Sequence, residues 1–319
     1  MTASRPRPIG IYYEHPHWFT PFFAELDRRG TPYQRLHAEH HGFDPSRAPA
    51  YKLVVNRMSP SAWTRGHAQS LFYTQHFLAH LERHGVRVIN GVRAYQAETS
   101  KALQLSVLRE LGLPYPATRV INDAADAPGA AAELEFPVVV KPNVGGSGAG
   151  IVRFDTPEQL AAAAATGGLE LGPDRTALVQ EFIPSEEGRI TRVEVLGGRH
   201  LYGIRVYSSG ETFNLCPADV CQTTDGAELV RSACPVDAPR NGLRVEGYDT
   251  PPDIARQVEQ IAGACGIDVG GIEYVIDDRN GQLYYYDINA LSNFVADAPR
   301  VVGFDPVARL VDFVEQEAR

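Results

Sequence analysis

Apolar residues in this chain fall into short runs that alternate between strand-like and helix-like spacing. Ile9 to Tyr13 is a short apolar strand. Trp18, Phe19, Phe22, Phe23 and Leu26 then recur as the buried stripe of a helix, which Gly30 ends. Lys52 to Asn56 is a second strand, Ala68 to His84 a helix stopped at Gly85, and Val86 to Ile89 a third strand. This order predicts a parallel sheet, with residues 1–97 as a first domain. A helix from Lys101 to Leu111 is expected to bury Leu103, Val107, Leu108 and Leu111, with Gly112, Pro114 and Pro116 closing it. Thr156-Pro157-Glu158-Gln159 reads as a capping box with proline at the first helical position. The strands around it predict a small second unit over residues 98–188. Beyond Ile190 come two strands about Gly197-Gly198, a long loop, a helix after Thr250-Pro251, a hairpin, and a last helix from Asp305-Pro306. These make a third unit, residues 189–319, and the fold class is α/β with three subdomains.

The hairpin carries the most chemistry. Gly271 to Asp277 is rich in Ile, Tyr and Val, Asp278-Arg279-Asn280-Gly281 is a turn signal, and Gln282 to Ile288 resumes the strand. Glu273 and Asp287 on adjacent strands can share a face, and Asn289 joins them because side chains two apart point the same way. Two carboxylates and an amide oxygen suit Mg²⁺, which takes one or two carboxylates together with substrate phosphates. The plain alternative is a hairpin with acids on its wet face.

Phe136 to Pro142 reads as a buried strand with Lys141 near its end. Asn143-Val144-Gly145-Gly146-Ser147-Gly148-Ala149-Gly150 follows. Glycines let backbone N–H groups close on phosphate oxygens, and a neighbouring lysine adds a point charge. It is not a P-loop, because the lysine precedes the glycines, and it is not a dinucleotide fingerprint, because a strand follows. A third segment, Ala177 to Pro184, is a strand running into a proline. Gln180, Glu181, Phe182 and Ile183 in it could present backbone groups to an adenine edge, with Glu187 as a nearby acid for ribose.

Taken in order, Lys101, Lys141 with its glycine loop, Gln180-Glu181-Phe182-Ile183 and Glu273/Asp287/Asn289 resemble the ATP-grasp superfamily. The likeness spans Lys101 to Asn289 and is nearest to carboxylate–amine ligases such as D-alanine–D-alanine ligase, glutathione synthetase and the ribosomal-protein glutamate ligases. It implies an ATP-grasp fold with nucleotide held between the second and third subdomains, ATP as cosubstrate and two Mg²⁺ ions on Glu273, Asp287 and Asn289. Lys101 and Lys141 would sit on the α- and β-phosphates, with Ser147 and the loop amides over the γ end. Arg205 is then first choice for stabilising an acyl phosphate, and Arg192 second; either could instead be an exposed sheet arginine. Relatives have aspartate where Glu273 stands and glutamate where Asp287 stands. The segment Ala290-Leu291-Ser292-Asn293-Phe294 departs from the dipeptide ligases, which disfavours D-alanine as substrate.

Composition fits a globular enzyme. A chain of 319 residues with 44% apolar content buries a full core. Net charge is −9 with no basic tract, so nucleic acid and anionic membrane are poor partners. No apolar run reaches the ~18–20 residues a membrane helix needs. The amino terminus reads as a short lead-in without a signal peptide, which suggests the cytoplasm. Small-molecule carboxylates and amines, amino acids or peptides, are the expected partners, and a homodimer is left open. Cys265 has helical spacing with Ile254, Val258 and Ile261 and is expected to be a core thiol; Cys216, Cys221 and Cys234 match no zinc template. Glu14, His15 and His17 follow the first strand and Arg57 follows the second, at the strand ends where ligands bind in such sheets. Ser292 borders the acceptor side. His76, His80 and His84 fall at helical spacing, where a solvated face is the better reading. Tyr207 to Tyr248 is expected to drape over the site. The expected reaction is amide-bond formation through an acyl phosphate. Another ATP-grasp reaction and a non-catalytic ATP-binding module are the alternatives.

Overall fold

The computed structural model describes residues 8–15, 17–146, 148–207 and 244–319. Ser147, Cys216, Cys221, Cys234, the lead-in and most of the Tyr207 to Tyr248 segment lie outside the described residues, as does the side chain of Glu187.

Among the described residues three sheets take successive stretches of chain. The first is parallel, built from β1 (Ile9–Tyr13), β2 (Tyr33–His37), β3 (Leu53–Arg57) and β4 (Arg87–Ile89) in the order β2-β1-β3-β4. Strand β2 was not expected, because only Leu36 of its five residues is buried and no alternation marks it. Helices α1 (Thr20–Arg29), α2 (Ala68–Arg83), α3 (Val92–Glu98) and α4 (Lys101–Glu110) accompany this sheet and lead out of it. Alternation along the strands splits the sheet's side chains between two cores. Ile9, Ile11, Leu53 and Val55 face Phe22, Phe23 and Leu26 of α1, while Tyr12 and Val54 face Leu71, Phe77 and Leu81 of α2.

The second sheet is antiparallel. It contains β5 (Thr118–Ile121), β6 (Val138–Pro142), β7 (Val152–Phe154) and β8 (Ala177–Glu181) in the order β5-β8-β6-β7, covered by α5 (Ala127–Ala131) and α6 (Pro157–Ala165). Thr156 caps α6 as its sequence predicts, accepting the Gln159 N–H.

The third sheet is also antiparallel. It contains β9 (Arg189–Leu196), β10 (Arg199–Tyr207), β11 (Arg244–Tyr248), β12 (Val269–Ile276) and β13 (Leu283–Asn289), in the order β11-β10-β9-β12-β13. Helix α7 (Pro252–Cys265) covers one face, where Cys265 is a buried free thiol that burial pushes up to about 11. The chain ends with α8 (Ala298–Val302) and α9 (Pro306–Glu317).

Two packing details differ from expectation. Helix α4 packs on β13 and α7, so it belongs with the third sheet although the sequence places it next to the second. Its buried stripe is Gln104, Leu105 and Leu108, and Leu103 is exposed. The last helix returns to the first sheet: α9 packs on α1, with Arg29 bonded to Asp312 and to the Ala308 carbonyl. Among the described residues no helix is long and apolar enough to cross a membrane.

Candidate active site

The hairpin forms as predicted. Glu273 and Asp287 are directly opposite in the β12–β13 register, and Gly281 closes the turn at positive φ. Tyr274 pairs with Tyr285, which leaves Tyr286 as an extra residue, a β-bulge beside Asp287. A bulge bends its strand and re-aims side chains, and such features recur at active sites. Tyr286, Asp287 and Asn289 all line one cavity.

Lys101, Lys141, Gly145, Gly146 and Gly148 line the same cavity, with Pro60 on the side of the first sheet. The structure therefore brings both predicted lysines, three glycines of the loop and two of the three predicted metal ligands together. Lys141 reaches it from the end of β6 and is 3% exposed. Lys101 opens α4 behind the Ser100 cap and forms an ion pair with Asp287. Burial works to raise the Asp287 pKa, but Lys101, Lys141 and Asn289 outweigh it and hold the carboxyl below its ordinary value. Asn143 fastens the loop to α4, since its Oδ1 accepts the Ala102 N–H at 2.9 Å.

Gly146 has no freedom to be anything else. Its φ is +149°, and a Cβ there would stand 2.5 Å from the Cα of Ser61 in the first domain. Gly146→Ala is expected to weaken binding of a non-hydrolysable ATP analogue about tenfold, or ~1.4 kcal/mol, by lifting the loop off Ser61. Calorimetric titration measures this, and an unchanged affinity would show that the loop does not touch nucleotide.

Glu273 departs from expectation. It is 1% exposed and does not line the cavity. One oxygen accepts from Arg192 at 2.8 Å and the other from the Tyr286 hydroxyl at 2.7 Å. Burial pushes its pKa up, against the opposing charge of Arg192. Arg192 also donates to Glu194 at 2.6 Å, and Gly271 leaves space for it, as a Cβ there would come within 2.4 Å of the guanidinium. Arg205, the first choice for an acyl phosphate, lies on the other face. In the register Arg192 pairs with Glu273, whereas Arg205 pairs with Thr191, which pairs with Tyr274. Its guanidinium stacks 4.2 Å over the Tyr248 ring. Residues one apart on a strand point to opposite faces, so Arg205 faces away from Arg192 and Glu273.

The set that could hold Mg²⁺ is then Asp287 and Asn289 facing the two lysines. One carboxylate plus an amide is enough when phosphates supply the remaining oxygens, so these residues fit a metal that arrives with nucleotide. Among the described residues no group of three or more His, Cys, Asp or Glu side chains is placed to bind an ion alone. Glu98, which sequence reasoning missed, also lines the cavity, and burial pushes its carboxyl up to about 8.

The expected adenine segment is engaged by its own sheet. Gln180 is fully buried and donates to Thr118 Oγ1 at 2.8 Å, and the Glu181 carboxylate accepts from the Glu135 N–H at 2.9 Å. The Glu181 and Phe182 N–H groups pair with the Ala117 and Pro137 carbonyls, Arg153 lies 4.5 Å over the Phe182 ring, and Ile183 is in the core. None of the four side chains lines the cavity.

The first-domain candidates form two groups. Glu14 is buried under Arg65 and His67, which accounts for a pKa below the carboxylate range in spite of burial. Arg65, also missed from sequence, donates to Ser61 Oγ at 3.1 Å and so stands near the tip of the glycine loop. His15 stacks on Trp18 at 4.1 Å, and its Nδ1 accepts the His17 and Trp18 N–H groups. Desolvation and Arg65 lower its pKa to about 4. His17 is exposed. Arg57 is buried and donates to the Ser292 carbonyl and to Asn293, tying β3 to the segment after the hairpin. Ser292 Oγ accepts the Phe294 N–H, a structural role.

A parallel first sheet and two antiparallel sheets around a lysine- and glycine-lined cleft define an ATP-grasp fold. Residues 98–215 match the family model described as a RimK-like ATP-grasp domain. It is 26% identical over 237 residues to the carbamoyl phosphate synthase large chain of Thermotoga neapolitana, a match covering 72% of this chain and 20% of that one. The chain thus spans about a fifth of the length of those curated relatives. The D-alanine–D-alanine ligase of Ectopseudomonas mendocina is 27% identical over 235 residues, covering 71% of this chain and 69% of that protein. Among solved structures, the ATP-grasp ligase PsnB complexed with a minimal precursor superposes at TM-score 0.67 with 17% identity, covering 98% of this chain and 99% of that one.

Proposed function

We propose that the chain is an ATP-dependent carboxylate–amine ligase that forms an amide or peptide bond and releases ADP and phosphate. The observation that carries this reading is the convergence of Lys101, Lys141, the glycine loop, Asp287 and Asn289 on one cavity. The ligase named among its sequence relatives and the ligase among its structural neighbours support the reaction class. A carboxylate is a poor acylating agent. Its oxygen therefore takes the γ-phosphoryl group first, and the amine attacks the acyl phosphate and expels phosphate. Phosphoryl transfer is mainly positioning and charge neutralisation. Lys141 and Lys101 hold the phosphate chain, and the loop amides cover its end and exclude water. Within the adenine segment the Ile183 backbone is the proposed contact. Mg²⁺, held by Asp287 and Asn289, supplies positive charge to the phosphate oxygens. Arg65 and Arg57 stand on the first-domain side, where a carboxylate substrate would meet the γ end. The same reading makes the protein a cytoplasmic enzyme of amino acids or peptides.

The test is the nucleotide product. Protein, ATP and Mg²⁺ are incubated with pooled amino acids and short peptides and resolved by chromatography. ADP and phosphate are expected only with acid and amine together. AMP would replace the acyl phosphate with an adenylate, and ADP formed without any amine would mark a kinase-like reaction.

A further inference from the structure

Strand β13 carries Asp287 and Asn289 and, among the described residues, is the edge strand of its sheet. An edge strand presents the backbone N–H and C=O groups of alternate residues with no strand to receive them. Here side chains take the place of the missing strand. The Gln104 amide donates to the Ile288 carbonyl at 2.8 Å and accepts the Ile288 N–H at 3.1 Å, reproducing the pair of bonds a neighbouring strand would make. Two residues on, Ala290 is held in the same way. Its N–H donates to the Glu98 carboxylate, and its carbonyl accepts from Asn90 Nδ2. Asn90 also accepts the Asp268 and Val269 N–H groups at 2.8 and 3.1 Å, which fixes the start of β12 as well.

Gln104, Glu98 and Asn90 are all buried, and they come from α4, α3 and the turn after β4, none of them from the third sheet itself. Asn289 lies between the two fastened residues and Asp287 just before them, and both line the cavity. We infer that Gln104, Glu98 and Asn90 are positioning residues that fix β13 where Asp287 and Asn289 meet the metal of a metal–nucleotide complex. This rests on the nucleotide reading above.

The test uses Mn²⁺ as a paramagnetic probe with ADP on the full chain. Mn²⁺ affinity of the protein–ADP complex is read by electron paramagnetic resonance, metal-free ADP affinity by calorimetry, and folding by thermal melting. Gln104, which also lines the cavity, is tested first: Gln104→Met is expected to weaken Mn²⁺ binding about tenfold, at the lower end of what orienting partners of metal ligands typically contribute, and to weaken metal-free ADP binding by clearly less than that. Glu98→Gln keeps an acceptor for Ala290 and is expected to retain Mn²⁺ affinity. Unchanged Mn²⁺ affinity in Gln104→Met overturns the inference, as does an equal loss of ADP affinity, which would mean general loosening. A loss in Glu98→Gln alone overturns it too, because charge and not position would then be acting. If Gln104→Met does not fold, Gln104→Glu, which keeps the acceptor and loses the donor, is held to the same outcomes. A wild-type chain that binds no Mn²⁺ with ADP overturns the nucleotide reading itself, and shows this before any variant is made.

Discussion

Replacing Arg192 with leucine is expected to lower the unfolding free energy by about 3–5 kcal/mol, the range for breaking a buried ion pair and leaving charge behind. Arg192 is 2% exposed and lies between Glu194 and Glu273, both 1% exposed. Without it, two carboxylates share a space that Gly271 had cleared for a guanidinium. The loss carries a pH signature. Burial already raises the Glu273 pKa, and Arg192 is the main influence opposing that rise. In the variant the folded chain would retain a proton that the unfolded chain releases above its ordinary value of 4.5. Stability held by such a group is complete below the unfolded pKa and declines as pH rises. The deficit should therefore be larger at pH 8 than at pH 5 in urea titrations. Adding Glu273→Gln should recover part of it, a coupling that a double-mutant cycle isolates. A deficit under 1 kcal/mol, or one equal at both pH values, would mean that the cluster is not an ionic one.

Asp287→Asn is expected to reduce metal-dependent ADP release by at least about a hundredfold, the scale of losing one group aimed at transition-state charge. Asp287 is the one predicted metal carboxylate that faces the cavity, and it pairs with Lys101 there. The substitution keeps the shape, removes the charge and leaves one of the two oxygens that accept from Lys101 and Asn289. Mn²⁺ affinity of the ADP complex should fall with turnover, while the melting temperature changes little. Turnover within tenfold of wild type would move the metal site away from Asp287.

Local pattern made some features legible and long-range register hid others. The hairpin, the loop after Lys141 and the α6 cap rest on turn chemistry and periodicity within a few residues, and they form as the sequence predicts. The face of Arg205 depends on how β10 aligns with β9, a pairing set by the whole sheet, and a resemblance that points to a strand does not fix which face its arginine takes. The bulge at Tyr286 leaves no mark in the alternation of a tyrosine run. Glu98, Gln104 and Asn90 were missed for a different reason. A side chain that hydrogen-bonds a distant backbone obeys no spacing rule, and a helix read for its apolar stripe has no place for a buried glutamine. Glu14 and Arg57 stood out as strand-end polar residues. Their partners Arg65 and Ser292 are 51 and 235 residues away in sequence, beyond any window of periodicity.

The return of α9 to α1 bears on how the protein is made. Leu310, Val311 and Val314 share a core with Ile9, Ile11 and Phe22, and Arg29 reaches across to Asp312. Ribosomes deliver ~5–20 residues per second, so α1 waits on the order of fifteen seconds to a minute for its partner. During synthesis the apolar stripe of Phe22, Phe23 and Leu26 is therefore only part-covered, and a nascent chain halted before residue 306 would display it to chaperones.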